Sequence, residues 1–142
     1  MPLIVSAPGR GRAGEKARGL VELVDMYPTL CELAGLPAPL SLEGTSFVPL
    51  LENPDRPWKS AAFSQTVRPR SSMMGRTMRT ERYRFTSWSD TKDSNLPPTL
   101  ELYDISSRPL EMENIANRPE NAALVRDLTA KLQAGWGAVQ TP

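Results

Sequence analysis

The chain has 142 residues, 39% of them hydrophobic, which is one domain or part of a larger one. Seventeen Lys and Arg against sixteen Asp and Glu leave a net charge of +1, which excludes a strongly basic nucleic-acid domain and an acidic tail. With no histidine and one cysteine, it excludes His-based triads, His metal ligands, an internal disulfide and a CxxC metal site.

Residues 2–6 form a compact apolar run that predicts a strand, followed by a Pro8-Gly9 turn. A strand this close to Met1 reads as the inside of a fold rather than its beginning, and its unpaired edge would invite association. The run is too short, and lacks the basic lead, for a signal peptide. Residues 8–19 carry four glycines among Arg and Lys and predict an exposed loop. Leu20 to Val24 fits either a short strand or a helix lead-in. Asp25 then predicts an N-cap whose carboxylate accepts from the first-turn amides. Met26, Tyr27, Leu30, Leu33 and Ala34 recur at helical spacing, and Gly35 with Pro37 and Pro39 ends the pattern, so a helix is expected over 26–34.

Residues 36–60 are punctuated by proline, with one helical turn expected at Ser46 to Leu51 and a turn cluster at 53–57. Beyond it the texture changes. Ala61 to Val67 predicts a strand, Met74 to Thr80 and Tyr83 to Trp88 predict a hairpin turning near Glu81-Arg82, and Leu100 to Asp104 a fourth strand. Pro119 opens a last helix with Leu124, Leu128 and Leu132 on one face, ended by Gly135 and Gly137. A strand, a helix, three or four antiparallel strands and a terminal helix give an α+β outline. No run approaches the 20 or so apolar residues of a membrane span.

Cys31 could be a nucleophile, but no histidine activates it, and its place on the helix favours a small buried thiol. Glu111 and Glu113 lie close together, and such a pair more often serves local pairing or capping than metal binding. Gly9-Arg10-Gly11-Arg12 lacks the spacing of a phosphate loop. The most uneven charge lies at 68–84, where Arg68, Arg70, Arg76, Arg79, Arg82 and Arg84 face a single acid, Glu81, with Tyr83, Phe85 and Trp88 interleaved or following. Such a stretch can hold sulfate, phosphate or carboxylate through paired guanidinium donors. It can equally be a solvated strand face whose arginines pair with the six acids of 101–127. Because side chains alternate along a strand, Arg76 and Arg82 need not share a surface with Arg79.

Several strings resemble the type I sulfatases. They are Pro2 to Val5 with Pro8-Gly9, Leu20 to Leu30 with Leu33 to Leu36, Leu42 to Leu51, and Glu101 to Asp104 with Pro109, Glu111 and Asn114 behind. The middle, with Ala62 to Gln65, Arg68-Pro69, Met74-Gly75, Met78 to Thr80 and Arg82 to Trp88, is similar to iduronate-2-sulfatase and its bacterial relatives. The resemblance covers residues 2–132 and implies an alkaline-phosphatase-like α/β fold. It implies that residues 1–55 end the catalytic domain and 56–142 form a C-terminal subdomain, a small antiparallel sheet plus a helix.

The same resemblance implies a parent enzyme that hydrolyses sulfate esters, as in glycosaminoglycan degradation, on a sulfated uronic acid sugar. It also implies calcium and a formylglycine as cofactors, and a secreted, periplasmic or lysosomal setting. The formylglycine motif is C/S-x-P-x-R, and Cys31, followed by Glu32-Leu33-Ala34, does not match it. No position carries the family's catalytic or metal-binding residues, so the chain alone is expected to be inactive. Arg108 stands where the family often has Asp, and Arg76 where close relatives often have Tyr. Arg79 is the expected substrate contact, with Trp88 as its packing or stacking partner. The implied partners are the remainder of the catalytic domain and the sulfated sugar. Two other readings stay open: a stand-alone module binding sulfated glycans, and a part of another alkaline-phosphatase-like phosphohydrolase.

Overall fold

Four strands form in the segments whose apolar and polar residues alternate between turn signals. They are β1 (Ala61–Val67), β2 (Met73–Thr80), β3 (Tyr83–Asp90) and β4 (Thr99–Asp104). They make one antiparallel meander in the order β1-β2-β3-β4. The computed structural model describes residues 2–106 and 113–139. Arg108, Pro109 and Glu111 lie outside the described residues. The chain divides into two compact units, one up to Trp58 and one from Lys59 onward.

The first unit is built on α1 (Met26–Leu33) and the short α2 (Val48–Glu52), with a 310 turn at Leu23–Asp25 leading into α1. Gly35, with φ +66°, takes the left-handed position that ends α1, as Gly in that place usually does. Residues 2–6 form no strand. Leu3 and Ile4 are exposed, Ile4 at 92%, because an apolar run becomes a strand only when a neighbour completes its ladder. The expected bare strand edge is therefore not there.

Asp25 also departs from expectation. It is fully buried, but its carboxylate does not cap α1. Oδ2 accepts from the backbone N–H of Glu22 at 2.7 Å and Oδ1 from that of Thr45 at 2.9 Å. The Thr29 hydroxyl donates to the Asp25 carbonyl at 2.6 Å and accepts from the Phe47 N–H at 3.0 Å. Two side chains at the start of α1 thus tie down residues 45–47 from 20 and 18 positions away. The Trp58 indole closes the same unit by donating to the Leu20 carbonyl at 3.1 Å.

In the second unit, α3 (Ala122–Ala134) follows a 310 turn begun by Pro119. Met78, Phe85 and Leu102 are opposite one another on three strands and share one sheet face. With Ala61 from β1, Ala116 and Leu128 from α3 they form the core, and Leu124, Val125 and Leu132 pack around it. At roughly 25 cal/mol per Å² of apolar surface, such burial is the main force holding the sheet to its helix.

β4 is protected along its outer edge. Asn114 accepts from the Leu102 N–H at 3.0 Å and donates to the Leu100 carbonyl at 3.1 Å, and Ile115 donates to the Leu102 carbonyl at 2.9 Å. A side chain and a loop amide thereby occupy edge groups that would otherwise recruit a foreign strand. Glu113 pairs with Arg118, the local use expected of that acid.

One ion pair carries a pH dependence. Both Nε and an Nη of Arg82 donate to Oδ2 of Asp104, at 3.0 and 2.8 Å, while the Ser106 hydroxyl and amide bond Oδ1. Arg82, and after it Ser106, hold the Asp104 carboxyl down at about 2, against an ordinary 3.8. A depressed folded-state value favours folding above the ordinary value and is lost as the pH falls through the folded one. The urea midpoint should therefore drop between about pH 4 and 2. Asp104→Asn should flatten that part of the profile, and an unchanged slope would remove Asp104 as its source.

Candidate functional site

The sheet has a second face, away from α3, set by alternation along each strand. Three successive rows cross it. The first is Ala62–Arg79–Arg84–Tyr103, the second Ser64–Thr77–Thr86–Glu101, and the third Thr66–Gly75–Trp88–Thr99. Arg79 and Trp88 therefore share this face, while Arg76 lies on the other and Arg82 in the β2–β3 turn. Four residues along the strands separate the Arg79 row from the Trp88 row, about 14 Å at strand rise. The two expected site residues thus lie on one surface but do not touch.

Arg79 is half-buried and directly opposite Arg84. Two like charges directly opposite on neighbouring strands repel. Arg84 lies over the Tyr103 ring, with its guanidinium carbon 4.9 Å from the centroid. Among the described residues no carboxylate bridges to Arg79, so the expected alternative, an ion pair anchoring the sheet, is not formed there. Thr77 and Thr86 share a hydrogen bond at 2.9 Å in the middle row. Glu101 is the acid of the same row.

Trp88 is bound into the protein. A Cβ on Gly75 would lie 2.7 Å from the indole, so the ring rests on the backbone that glycine leaves bare. The guanidinium carbon of Arg68 sits over the ring, 4.8 Å from its centroid, within cation–π range. Trp88 thus lies between the Gly75 backbone and the Arg68 guanidinium. At the end of the face, Asp90 accepts from the Ser72 hydroxyl at 2.7 Å and the Lys92 amide at 2.7 Å. These bonds, Ser72 first, hold its carboxyl below the usual range.

Sequence reasoning missed the Arg79–Arg84 pairing and the Gly75–Trp88–Arg68 stack. The first was available, because a two-residue turn at Glu81-Arg82 pairs 80 with 83 and 79 with 84. The second needs the same register carried four residues further.

Neither implied cofactor fits the described residues. Cys31 is buried within α1, in a helical turn and the wrong motif for a formylglycine. Among the described residues no group of three or more His, Cys, Asp or Glu is placed to hold a metal. No described helix is long and apolar enough to cross a membrane.

Comparison with known proteins gives this geometry a family. Arylsulfatase K of Homo sapiens is 34% identical over 126 residues, covering 82% of this chain and 22% of that protein. N-acetylglucosamine-6-O-sulfatase of Bacteroides thetaiotaomicron is 29% identical over 139 residues, covering 94% of this chain and 24% of that protein. The structure of BT4656 in complex with its substrate D-glucosamine-2-N,6-O-disulfate matches with a TM-score of 0.76 at 25% identity, over 89% of this chain and 26% of that one. The chain thus spans about a quarter or less of the length of these relatives. The small antiparallel sheet with its helices is the α/β arrangement that the resemblance implied. The family described as N-sulphoglucosamine sulphohydrolase, C-terminal, matches residues 1–136, and the chain belongs to it.

Proposed function

We propose that this chain is the C-terminal part of a sulfatase that hydrolyses a sulfate ester on a glycan, with a sulfated uronic acid as the sugar. In this reading residues 1–55 finish the catalytic domain, and residues 56–142 form the subdomain that walls the substrate pocket. The division into compact units at Trp58 supports a boundary near that point. The iduronate-2-sulfatase-like strings of the middle segment favour the uronic acid. The rest of the catalytic domain is the partner, and it supplies the formylglycine and the calcium that the described residues do not fit. The work of this chain is binding and positioning.

The observation that carries the reading is the half-buried Arg79 on the strand face, which no carboxylate among the described residues bridges. A sulfate ester or a uronate carboxylate brings a negative charge to it, and guanidinium donors recognise both in pairs. Trp88 packs the far end of the same face and keeps the strands in register. The test is Arg79→Ala in a sulfatase polypeptide that carries this chain. Losing a hydrogen bond to a charged group is worth roughly 1.5–3 kcal/mol, so KM for the sulfated sugar should rise roughly 10- to 100-fold. An unchanged KM with lowered stability would sink the substrate role of Arg79.

A further inference from the structure

The turn between β1 and β2 holds its arginines in a way that folding alone does not ask for. Arg68, Pro69, Arg70 and Ser71 form it, with the Ser71 N–H donating to the Arg68 carbonyl at 3.2 Å. Pro69 presets the first central position. Arg70 occupies the second with φ +61°, the only non-glycine residue with positive φ among the described residues. Gly or Asn takes that position at little cost, whereas other side chains are strained there by roughly 1–3 kcal/mol. The turn is also fixed from both sides. The Ser71 hydroxyl donates to the Arg68 carbonyl at 3.2 Å and accepts from the Met73 N–H at 3.1 Å, and the Arg68 N–H donates to the Met73 carbonyl at 2.9 Å.

Arg68 is braced as well. Its guanidinium sits over Trp88, which rests in turn on the bare backbone of Gly75. Stacking of this kind fixes the plane of the guanidinium and leaves its in-plane N–H donors along the rim. Among the described residues no carboxylate pairs with Arg68 or Arg70, and both residues are exposed. Asp90, at the end of the same face, is engaged by Ser72, Lys92 and Asp93.

We propose that Arg68 and Arg70 form an anion clamp for a second sulfate ester of the same glycan, on a sugar further along the chain than the one held at Arg79. The inference rests on the glycan-sulfatase reading above. About 14 Å separates the Arg79 row from the Trp88 row, which is further than a single sugar ring reaches, so the clamp acts on chain length. Glu101 lies on the row between the two basic points and repels an anionic group from the middle, which spaces the two sulfates apart.

The test titrates the 142-residue chain with a heparin-derived disaccharide and an octasaccharide, by calorimetry and by the Trp88 indole N–H resonance. R68A should weaken octasaccharide binding tenfold or more and leave disaccharide binding unchanged. R70G should weaken the octasaccharide too, yet raise the urea midpoint, because glycine relieves the strained φ. That second variant separates lost binding from lost folding. R79A should weaken both ligands. If R68A and R70G bind the octasaccharide as the parent chain does while R79A weakens the disaccharide, the clamp is overturned and the proposed function stands. If none of the three changes binding, both readings fall. If a desulfated octasaccharide that keeps its carboxylates binds equally well, the sulfate assignment is overturned.

Discussion

Phe85→Ala should abolish cooperative unfolding of the second unit. Phe85 is 0% exposed, at the centre of the row Met78–Phe85–Leu102, with Leu128 of α3 in the same core. Truncating a buried phenylalanine removes its transfer free energy and leaves a cavity, together about 3–5 kcal/mol. Domains of this size are stable by only about 5–15 kcal/mol in total, so the loss takes most of the margin. Because three of the four strands meet at this one side chain, its removal also loosens the pairing that sets Arg79 against Arg84 and Trp88 over Gly75. Circular dichroism during urea unfolding is the measurement, with ligand binding as a second readout. Phe85→Leu is the companion variant. It keeps an apolar side chain in the same place and should retain a cooperative transition with a smaller loss. If Phe85→Ala shifts the melting temperature by less than a few degrees, this row is not the centre of the core.

The strands of the second unit were legible because their signals are local. Alternating apolar residues, the turn at Glu81-Arg82 and the proline boundary before Ala61 all lie within a few residues of what they control. The terminal helix was legible for the same reason, since Leu124, Leu128 and Leu132 repeat at helical spacing. What stayed hidden depends on partners far along the chain. Residues 2–6 have the composition of a strand, but nothing in a run of apolar residues says whether a neighbour is present to pair with it. Asp25 has the local signature of a cap, but its carboxylate goes to Thr45, and no local pattern marks that position.

Trp88 shows the same limit at the site. Its position next to an arginine-rich stretch suggests a packing or stacking partner for Arg79. Only the register shows that Gly75 lies beneath the ring, and only the turn geometry brings Arg68 over it. Arg79 was legible as a candidate because its neighbourhood is basic. That a like charge, Arg84, lies directly opposite it is a property of pairing rather than of composition.

Asp25→Ala should be the most damaging single change in the first unit. The fully buried Asp25 carboxylate accepts from the part-buried Glu22 and Thr45 amides, so alanine leaves both donors without their acceptor. An unsatisfied buried donor costs about 1–3 kcal/mol, and two part-buried ones set the loss at about 3 kcal/mol. Water cannot easily replace the carboxylate, because the 44–47 segment lies hard against the turn before α1. A Cβ on Gly44 would be 2.0 Å from the Val24 carbonyl oxygen, so even the backbone has no slack there.

The order of variants is informative. Asp25→Asn keeps one acceptor oxygen but turns an NH2 toward the other amide, so it should fall between the native chain and alanine. Thr29→Val keeps the shape of the side chain and loses only the hydroxyl, which accepts from Phe47 and donates to the Asp25 carbonyl; its cost should be smaller than that of alanine at 25. Hydrogen exchange at the Thr45 and Phe47 amides reads each bond separately. In Asp25→Ala the Thr45 amide should lose protection first, and in Thr29→Val the Phe47 amide. If Asp25→Ala leaves both the urea midpoint and the Thr45 exchange rate unchanged, the carboxylate is not what fastens this segment to α1. A charged group placed where no water reaches is tolerable only while every oxygen has a donor, and here both oxygens do.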